Sequence, residues 1–543
     1  MKVIAAIEVD LTQAPLGTPS RLGEDLAGCG VLRRTLGRVG RCQRLASVHV
    51  VTSPEQRDDV ARLTDGLDVA LEVHAYGPPP WQDRVRRGRK WSADGWRGGI
   101  GGLCGFDESI HGGVLAALAQ REGADAIAAI PAAAVLIDPA LLDAMIDHFD
   151  GLGEDYRVVF CQAPPGLAAL LARPIFLDEL FHAGHPPGPA LSYIPDNPQL
   201  DFTTKPCCYG LPNVVIETSG RFLADTRRGM ELLGSILDAA NEDDLTAERI
   251  CELVADRSTN HLDPLPRELE IELTTDDELT DTTLRPRGKR VASRGPVSVD
   301  LVRRWAEEMA RYDDALVVLG GFGDPLLHPD LGEVLAACRQ AGVFGLAVRT
   351  NGLAMQGDVI DLLIEHGVDV VNVTVDAHSA ETYRALHNAD GFDRVVANIE
   401  ALRARIVERG AGPAIVPEMA KLRVTLPEQE AFFDDWIRRV GWANIVTPSH
   451  YAGQLPDQSV MTTAPPQRSR CARLWSRLMI LADATAVTCD QDFAASQPVG
   501  NAATDPIEAI WTGAPLTALR NAHAQGNPSN HPLCPACDEW DRP

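Results

Sequence analysis

Apolar and polar positions alternate along this chain with two spacings, one of strands and one of helices. From Val3 to about Asn241, apolar runs with a strand period (VIAAIEVD, SVHVVTS, VALEVHAYG, AIAAIPAA, YRVVFCQAP) are separated by helix-period stretches (VLRRTLGRVGRC, GGVLAALAQ, PALLDAMIDHF). This is the pattern of a doubly wound α/β sheet. The polar segment NEDDLTAERICELVADRSTNHLDPLPRE predicts a helix and linker. From Leu269 the alternation restarts. The strands ELEIELT, ALVVLGG, GLAVRTNG, VDVVNVTVDA, AIVPEMAKL and ANIVTPS are interleaved with helices, one of them from Val299 to Arg311. That run predicts a parallel barrel, complete or partial, with its site at the strand C-termini. Beyond Pro465 the helical alternation stops, leaving a Gly/Asn/Pro-rich tail of about eighty residues that is too small to be stable without a staple. The expected organisation is a sheet domain over 1–241, a linker over 242–264, a barrel over 265–450 and a cysteine-rich domain over 465–543.

Composition narrows the function. The 543 residues, 45% of them hydrophobic, are too many for one core, and the net charge of −26 excludes nucleic acid or an anionic membrane as the main partner. A small cationic or metal-bound ligand is compatible with it. The longest apolar stretch, ADAIAAIPAAAVLIDPALL, is interrupted by Asp125, Pro131 and Asp138, so no membrane span is expected, and no signal peptide opens the sequence. The expected location is cytoplasmic. Twelve irregularly spaced cysteines do not make a disulfide framework, and no GxSxG or HExxH points to a hydrolase.

Three stretches carry candidate chemistry. In LGGFGDPLLHPDL, Leu319 to Leu331, glycines directly after a buried strand allow close approach of a ligand to the backbone. In IELTTDDELTDTTLRPRG, the carboxylates Asp276, Asp277, Glu278 and Asp281 form either a solvated loop or a divalent-cation site. In the tail, Cys471, Cys489 and the CPAC pair Cys534 and Cys537 offer four thiolates, a set that satisfies a [4Fe-4S] cluster or a tetrahedral zinc; spacing leaves both open. Cys29, Cys42, Cys104, Cys161, Cys207, Cys208, Cys251 and Cys338 read as core residues. A basic, Trp-rich segment, WQDRVRRGRKWSADGWRGGIGGLCGF, is expected to be a solvated loop, a phosphate clamp or a docking patch for an acidic partner.

With RTNG and VNVTVDA at the next two strand ends, these motifs resemble the radical S-adenosylmethionine superfamily, in the branch with a C-terminal SPASM domain, over about Leu269 to Trp540. The resemblance implies an S-adenosylmethionine site at Gly321, Gly323, Asp324, Asn351 and Asp376, with Asp324 in place of the usual Glu. It places the cluster-binding CxxxCxxC on Asp277, Asp281 and Leu284, none of them a cysteine. A hard carboxylate is a poor substitute at a soft iron-sulfur site and leucine cannot ligate, so ordinary reductive cleavage of S-adenosylmethionine is not expected. The tail is similar to a shortened SPASM domain, which favours one [4Fe-4S] cluster over zinc; Ala484 stands where a turn glycine is usual.

In the N-terminal region, VIAAIEVDLTQAPLGTPSRLGEDLAGCGVLRRTLGRV is similar to the opening, and RFLADTRRGMELLGSIL, Arg221 to Leu237, to the closing strand and helix, of sugar-nucleotide cytidylyltransferases and related glycosyltransferase-A-like folds. That resemblance implies a nucleotide site at Gly17, Ser20, Arg21 and Asp225, with Mg²⁺ as candidate ion. The lysine position falls on Asp25 and a metal-binding Asp position on Ala133. The expected function is an iron-sulfur protein with a degenerate primary cluster site, fused to a nucleotide-sugar-binding-like domain and acting as a binding, relay or scaffold protein in a biosynthetic or modification pathway. The alternatives are nucleotidyl or glycosyl transfer through the N-terminal domain, and a radical enzyme with non-standard cluster ligation. Expected partners are a nucleotide or nucleotide sugar and a protein partner or active paralogue.

Overall fold

The structure is a computed structural model that describes residues 1–542 apart from 76, 258–261, 281, 283 and 462–463. It divides into two compact units, Met1–His261 and Leu262–Pro543.

In the first unit, β1 (Val3–Glu8), β2 (Leu45–Thr52), β3 (Ala70–Val73), β4 (Ala126–Ala129), β5 (Val158–Cys161), β6 (Leu170–Ala172) and β7 (Cys208–Tyr209) form a sheet of order β3-β2-β1-β4-β6-β5-β7. The period of two within β1 sends Val3, Ala5 and Ile7 to one core and Ile4 and Ala6 to another, so both faces are covered. β6 is antiparallel to β4 and β5, making the sheet mixed. The helix Pro139–Leu152 starts where Asp138 accepts from the backbone N–H of Ala140 and Leu141, ahead of Pro139 at the first helical position. The other oxygen of Asp138 accepts from Ala247 N at 2.7 Å. Residues 242–264, expected as a linker, therefore do structural work up to the helix Ala247–Arg257: Leu245, Ala247, Ile250 and Cys251 are buried in the core of the unit.

The second unit carries all six expected strands, β8 (Glu268–Glu272), β9 (Leu316–Gly320), β10 (Gly345–Thr350), β11 (Val370–Thr374), β12 (Ala414–Ala420) and β13 (Asn444–Val446), each parallel to the next in chain order. Residues of β8 and β13, the two ends of this run, line one cavity, so the array curls into a partial barrel. The cysteine-rich tail joins the same sheet. β14 (Arg477–Ile480) pairs in parallel with β8, followed by antiparallel β15 (Thr485–Val487) and β16 (Pro498–Asn501). The tail also forms a helix, Ala514–Ala524, where the sequence had suggested none. Trp511 and Leu516 share one core with Trp305, whose indole N–H donates to Ala502 O at 2.9 Å. Ala484 adopts φ +67°, the left-handed conformation glycine would take there.

Candidate functional sites

The loop after β8 sits where the resemblance places the primary cluster. Asp277 pairs with Arg287 (2.9 Å) and accepts from Asn351 Nδ2 and Leu279 N. Leu284 is buried against Leu386, Ala420 and Leu422. Asp281 lies outside the described residues. Three arginines from the same loop turn inward, each onto a carboxylate. Arg285 Nη1 donates to Asp376 at 2.6 Å, Arg287 to Asp277, and Arg294 grips both oxygens of the fully buried Glu272 at 2.6 and 3.0 Å. Removing one partner of a buried pair of this kind is costly, because it leaves the other charge uncompensated away from water. Two of the loop's acids are thus paired within the fold, Asp277 with Arg287 and Glu278 with Arg394, in an arginine-carboxylate network that the expected choice between a solvated loop and a cation site did not include. These arginines are the residues that sequence reasoning missed. The signal was present in RPRGKRVASR, a basic run directly after the acidic one.

The positions expected to hold S-adenosylmethionine are also engaged. A Cβ on Gly321 would stand 2.7 Å from Glu272 Cβ, and one on Gly323 would stand 2.2 Å from Thr274 O, so these glycines bring the loop onto the end of β8 and the chain just after it. Asp324 accepts from Leu326 N with one oxygen and from Thr350 Oγ1 and Asn351 N with the other. Burial, reinforced by nearby Asp277, pushes its carboxyl up to about 6. Asn351 Oδ1 accepts from Leu353 N. Asp376, at φ +58°, is committed to Arg285 and Ala420 N; burial opposes its ionisation, but the Arg285 guanidinium wins and holds it below the usual carboxylate range. The donor set at this place does not fit a [4Fe-4S] cluster.

The tail cysteines do converge. Cys471, Cys489, Cys534 and Cys537 line one small cavity with Arg468, Arg473, His523 and Trp540, and all four are free thiols. Burial raises every one of them: Cys534 to about 12, with Cys471 and Cys537 adding to the shift, and Cys537 to about 11. His523 is pushed down to about 4 by burial and by Arg468, so it is neutral at pH 7. Among the described residues, no three of the four sulfurs lie within 4.8 Å of one another. A tetrahedral zinc, with Zn–S near 2.3 Å, holds its sulfurs roughly 3.8 Å apart, whereas a cubane spreads its ligands wider. Four free thiols gathered on one cavity are a donor set that satisfies either group.

In the first unit, a cavity of about 440 Å³ is lined by Ser20, Arg21, Trp81, Arg86, Ala133 and Asp225, among others, while Gly17 and Asp25 stand outside it. Asp225 is buried, and both its oxygens accept from Arg221, which also pairs with Glu108; Glu108 in turn holds Arg89 at 2.9 Å. These two carboxylates hold the Arg221 guanidinium above its ordinary value despite burial. A carboxylate so occupied does not fit Mg²⁺. The basic Trp-rich segment is the helix Gln82–Arg89 and the turns after it. Arg89 is fully buried, and of the segment's six cations only Arg86 lines the cavity, donating to Pro15 O and Gln13 Oε1.

Comparison with known proteins agrees with the second unit's architecture. Residues 286–417 match the model of the radical SAM superfamily, and residues 471–538 match SPASM, an iron-sulfur cluster-binding domain. The chain thus carries radical SAM and SPASM domains, domain types that imply iron-sulfur clusters and S-adenosylmethionine binding. It is 25% identical over 326 residues to an uncharacterized protein of Treponema pallidum (strain Nichols), covering 56% of this chain and 86% of that one. It is 29% identical over 139 residues to an AdoMet-dependent heme synthase of Methanosarcina barkeri, spanning 25% of this chain and 39% of the relative. Streptococcus suis SuiB bound to the precursor peptide SuiA superposes at a TM-score of 0.41 with 13% identity, over 55% of this chain and 75% of SuiB. Among the described residues, no helix is long and apolar enough to cross a membrane.

Proposed function

We propose that this protein holds a single [4Fe-4S] cluster on Cys471, Cys489, Cys534 and Cys537 and works as a binding or one-electron relay protein that does not generate radicals from S-adenosylmethionine. When bound, the cluster supplies a one-electron couple, and its potential depends on surrounding charge and burial. Arg473, paired with Asp490 (2.8 Å) and Glu539 (3.2 Å), places a guanidinium beside the thiolates, and Trp540 and Leu474 cover the cavity. The observation that carries the reading is the contrast between two places in one unit. One has four free thiols; in the other, Arg285, Arg287 and Arg294 pair with Asp376, Asp277 and Glu272. Nucleotidyl or glycosyl transfer through the first unit is disfavoured by the Arg221–Asp225 pair.

The test is iron and sulfide analysis with EPR after anaerobic reconstitution, with and without S-adenosylmethionine. About four irons per chain and a spectrum indifferent to S-adenosylmethionine support the reading; about eight irons, or a perturbed spectrum, overturn it. Replacing Cys534 and Cys537 by serine is expected to remove the iron.

A further inference from the structure

The partial barrel encloses a cavity of about 360 Å³ whose wall is charged. Glu270 of β8, Arg349 of β10, Asn372 and Thr374 of β11, Glu418 of β12 and Asn444 of β13 all face it. Strand register sets Arg349 beside Asn372, Thr374 beside Glu418, and Glu418 beside Asn444, so the polar row crosses neighbouring strands. Strands of a parallel sheet are ordinarily apolar on both faces, because polar groups there lose hydration. Gly320 leaves room for the row, since a Cβ there would come within 3.4 Å of both Arg349 Cβ and Glu270 Oε1.

The wall holds three carboxylates, Glu270, Glu418 and Asp490, and three guanidiniums, Arg285, Arg287 and Arg349, but the pairs they make with residues behind the wall leave one carboxylate over. Arg285 and Arg287 are committed to Asp376 and Asp277, outside the lining, and Arg473 holds Asp490. Arg349 is left with Glu270, to which it donates at 3.2 Å, and with Glu418, which Arg285 approaches only to 3.7 Å. Adding the next pairs outward, Glu539 with Arg542 and Glu268 with Arg477, leaves the excess of one carboxylate unchanged. His387, beside Asp376, is pushed down by burial and does not supply the missing charge. Burial pushes Glu270 and Glu418 up, the response of carboxylates whose counter-charge is incomplete. Arg349 is reachable: its side chain is 41% exposed.

We propose that this lumen binds a small polar amine, its ammonium group seated between Glu270 and Glu418 and a hydroxyl or carboxylate oxygen on the same molecule accepting from Arg349. Asn372, whose Nδ2 donates to Glu418 at 3.3 Å, and Asn444, whose Oδ1 accepts from Trp442, line the same space with Tyr451, leaving Asn372 Oδ1, Asn444 Nδ2 and the Tyr451 hydroxyl for a hydroxylated ligand. Amino sugars and α-amino acids share this chemistry. The inference uses no iron and stands or falls separately from the cluster.

The test is calorimetric titration of the full chain with glucosamine and L-serine, and with glucose and L-glycerate as their amine-free counterparts. At least one amine is expected to bind one per chain with Kd below about 10 mM, its amine-free counterpart at least about tenfold more weakly. Glucosamine as the binder identifies the amino-sugar class, L-serine the amino-acid class. Glu418→Gln and Glu270→Gln, each checked for an unchanged circular dichroism spectrum, are expected to weaken the amine about tenfold or more while iron content stays as in the parent. The proposal is overturned if neither amine binds in that range, if the amine-free counterpart binds as well, or if whichever variant keeps its fold binds the amine like the parent.

Discussion

Glu272 shows how much of the primary site depends on single charges. Its two oxygens accept from Arg294 and from the backbone of Phe322 and Ala482, and its side chain is fully buried. Arg294→Ala leaves that carboxylate without its counter-charge, and a loss of about 3–5 kcal/mol in the unfolding free energy is expected from denaturant titration. A loss below about 1 kcal/mol would mean that the pair is not formed. Asp324 gives a second prediction. Its folded pKa, about 6, lies above that of an unfolded aspartate, so the native state binds the extra proton. The sign follows: this contribution to stability is full below about pH 4 and is lost as pH rises towards 6. Asp324→Asn, though less stable because Thr350 and Asn351 donate to that side chain, should lack this downward slope. An unchanged slope in the variant would assign it to another group. None of these pairings was legible in the sequence, which places Glu272 and Arg294 twenty-two residues apart. The missing cysteines were legible; what replaced them depended on which way three arginines turned.

Strands and helices were far easier to read. The six parallel strands of the second unit follow from apolar runs ending in LGG, RTNG and VDA, because strands buried on a barrel leave continuous hydrophobic signatures. β6 and β7 were missed: three and two residues are too short to show a period, and LLA lies inside the longer run GLAALLARP. The tail misled by composition. Its Gly and Pro content hid the helix Ala514–Ala524, and nothing local announced that Leu478 and Ile480 complete the barrel core beside β8. A consequence can be tested at this scale. A chain ending at residue 464 leaves the β8 edge unpaired and strips Trp511 and Leu516 from Trp305, so it is expected to be insoluble or to lack cooperative unfolding. A soluble truncated chain with a sharp transition would show that the tail is an appendage. Cluster loading should also depend on pH. Thiols raised to about 11 and 12 must surrender protons to the metal, so iron uptake at fixed concentration is expected to rise with pH. Uptake that is flat with pH would argue against these thiols as the ligands.

At the scale of the whole molecule, each unit has its own core and its own buried network of charge. In the first, Arg89, Glu108, Arg221 and Asp225 form a chain of pairs with almost no solvent contact. Asp225→Ala removes one end of that chain and leaves Arg221 sharing Glu108 with Arg89, two guanidiniums on one carboxylate. About 3–5 kcal/mol should be lost, all of it from Met1–His261. Because the cysteines and the barrel lumen belong to the other unit, iron content, the EPR spectrum and amine binding are expected to stay as in the parent. Calorimetry of the full chain should then resolve two transitions, only one of which moves in the variant. If the two move together, or if iron falls with Asp225, the units are coupled, and the first would have to be read as part of the iron-sulfur machinery.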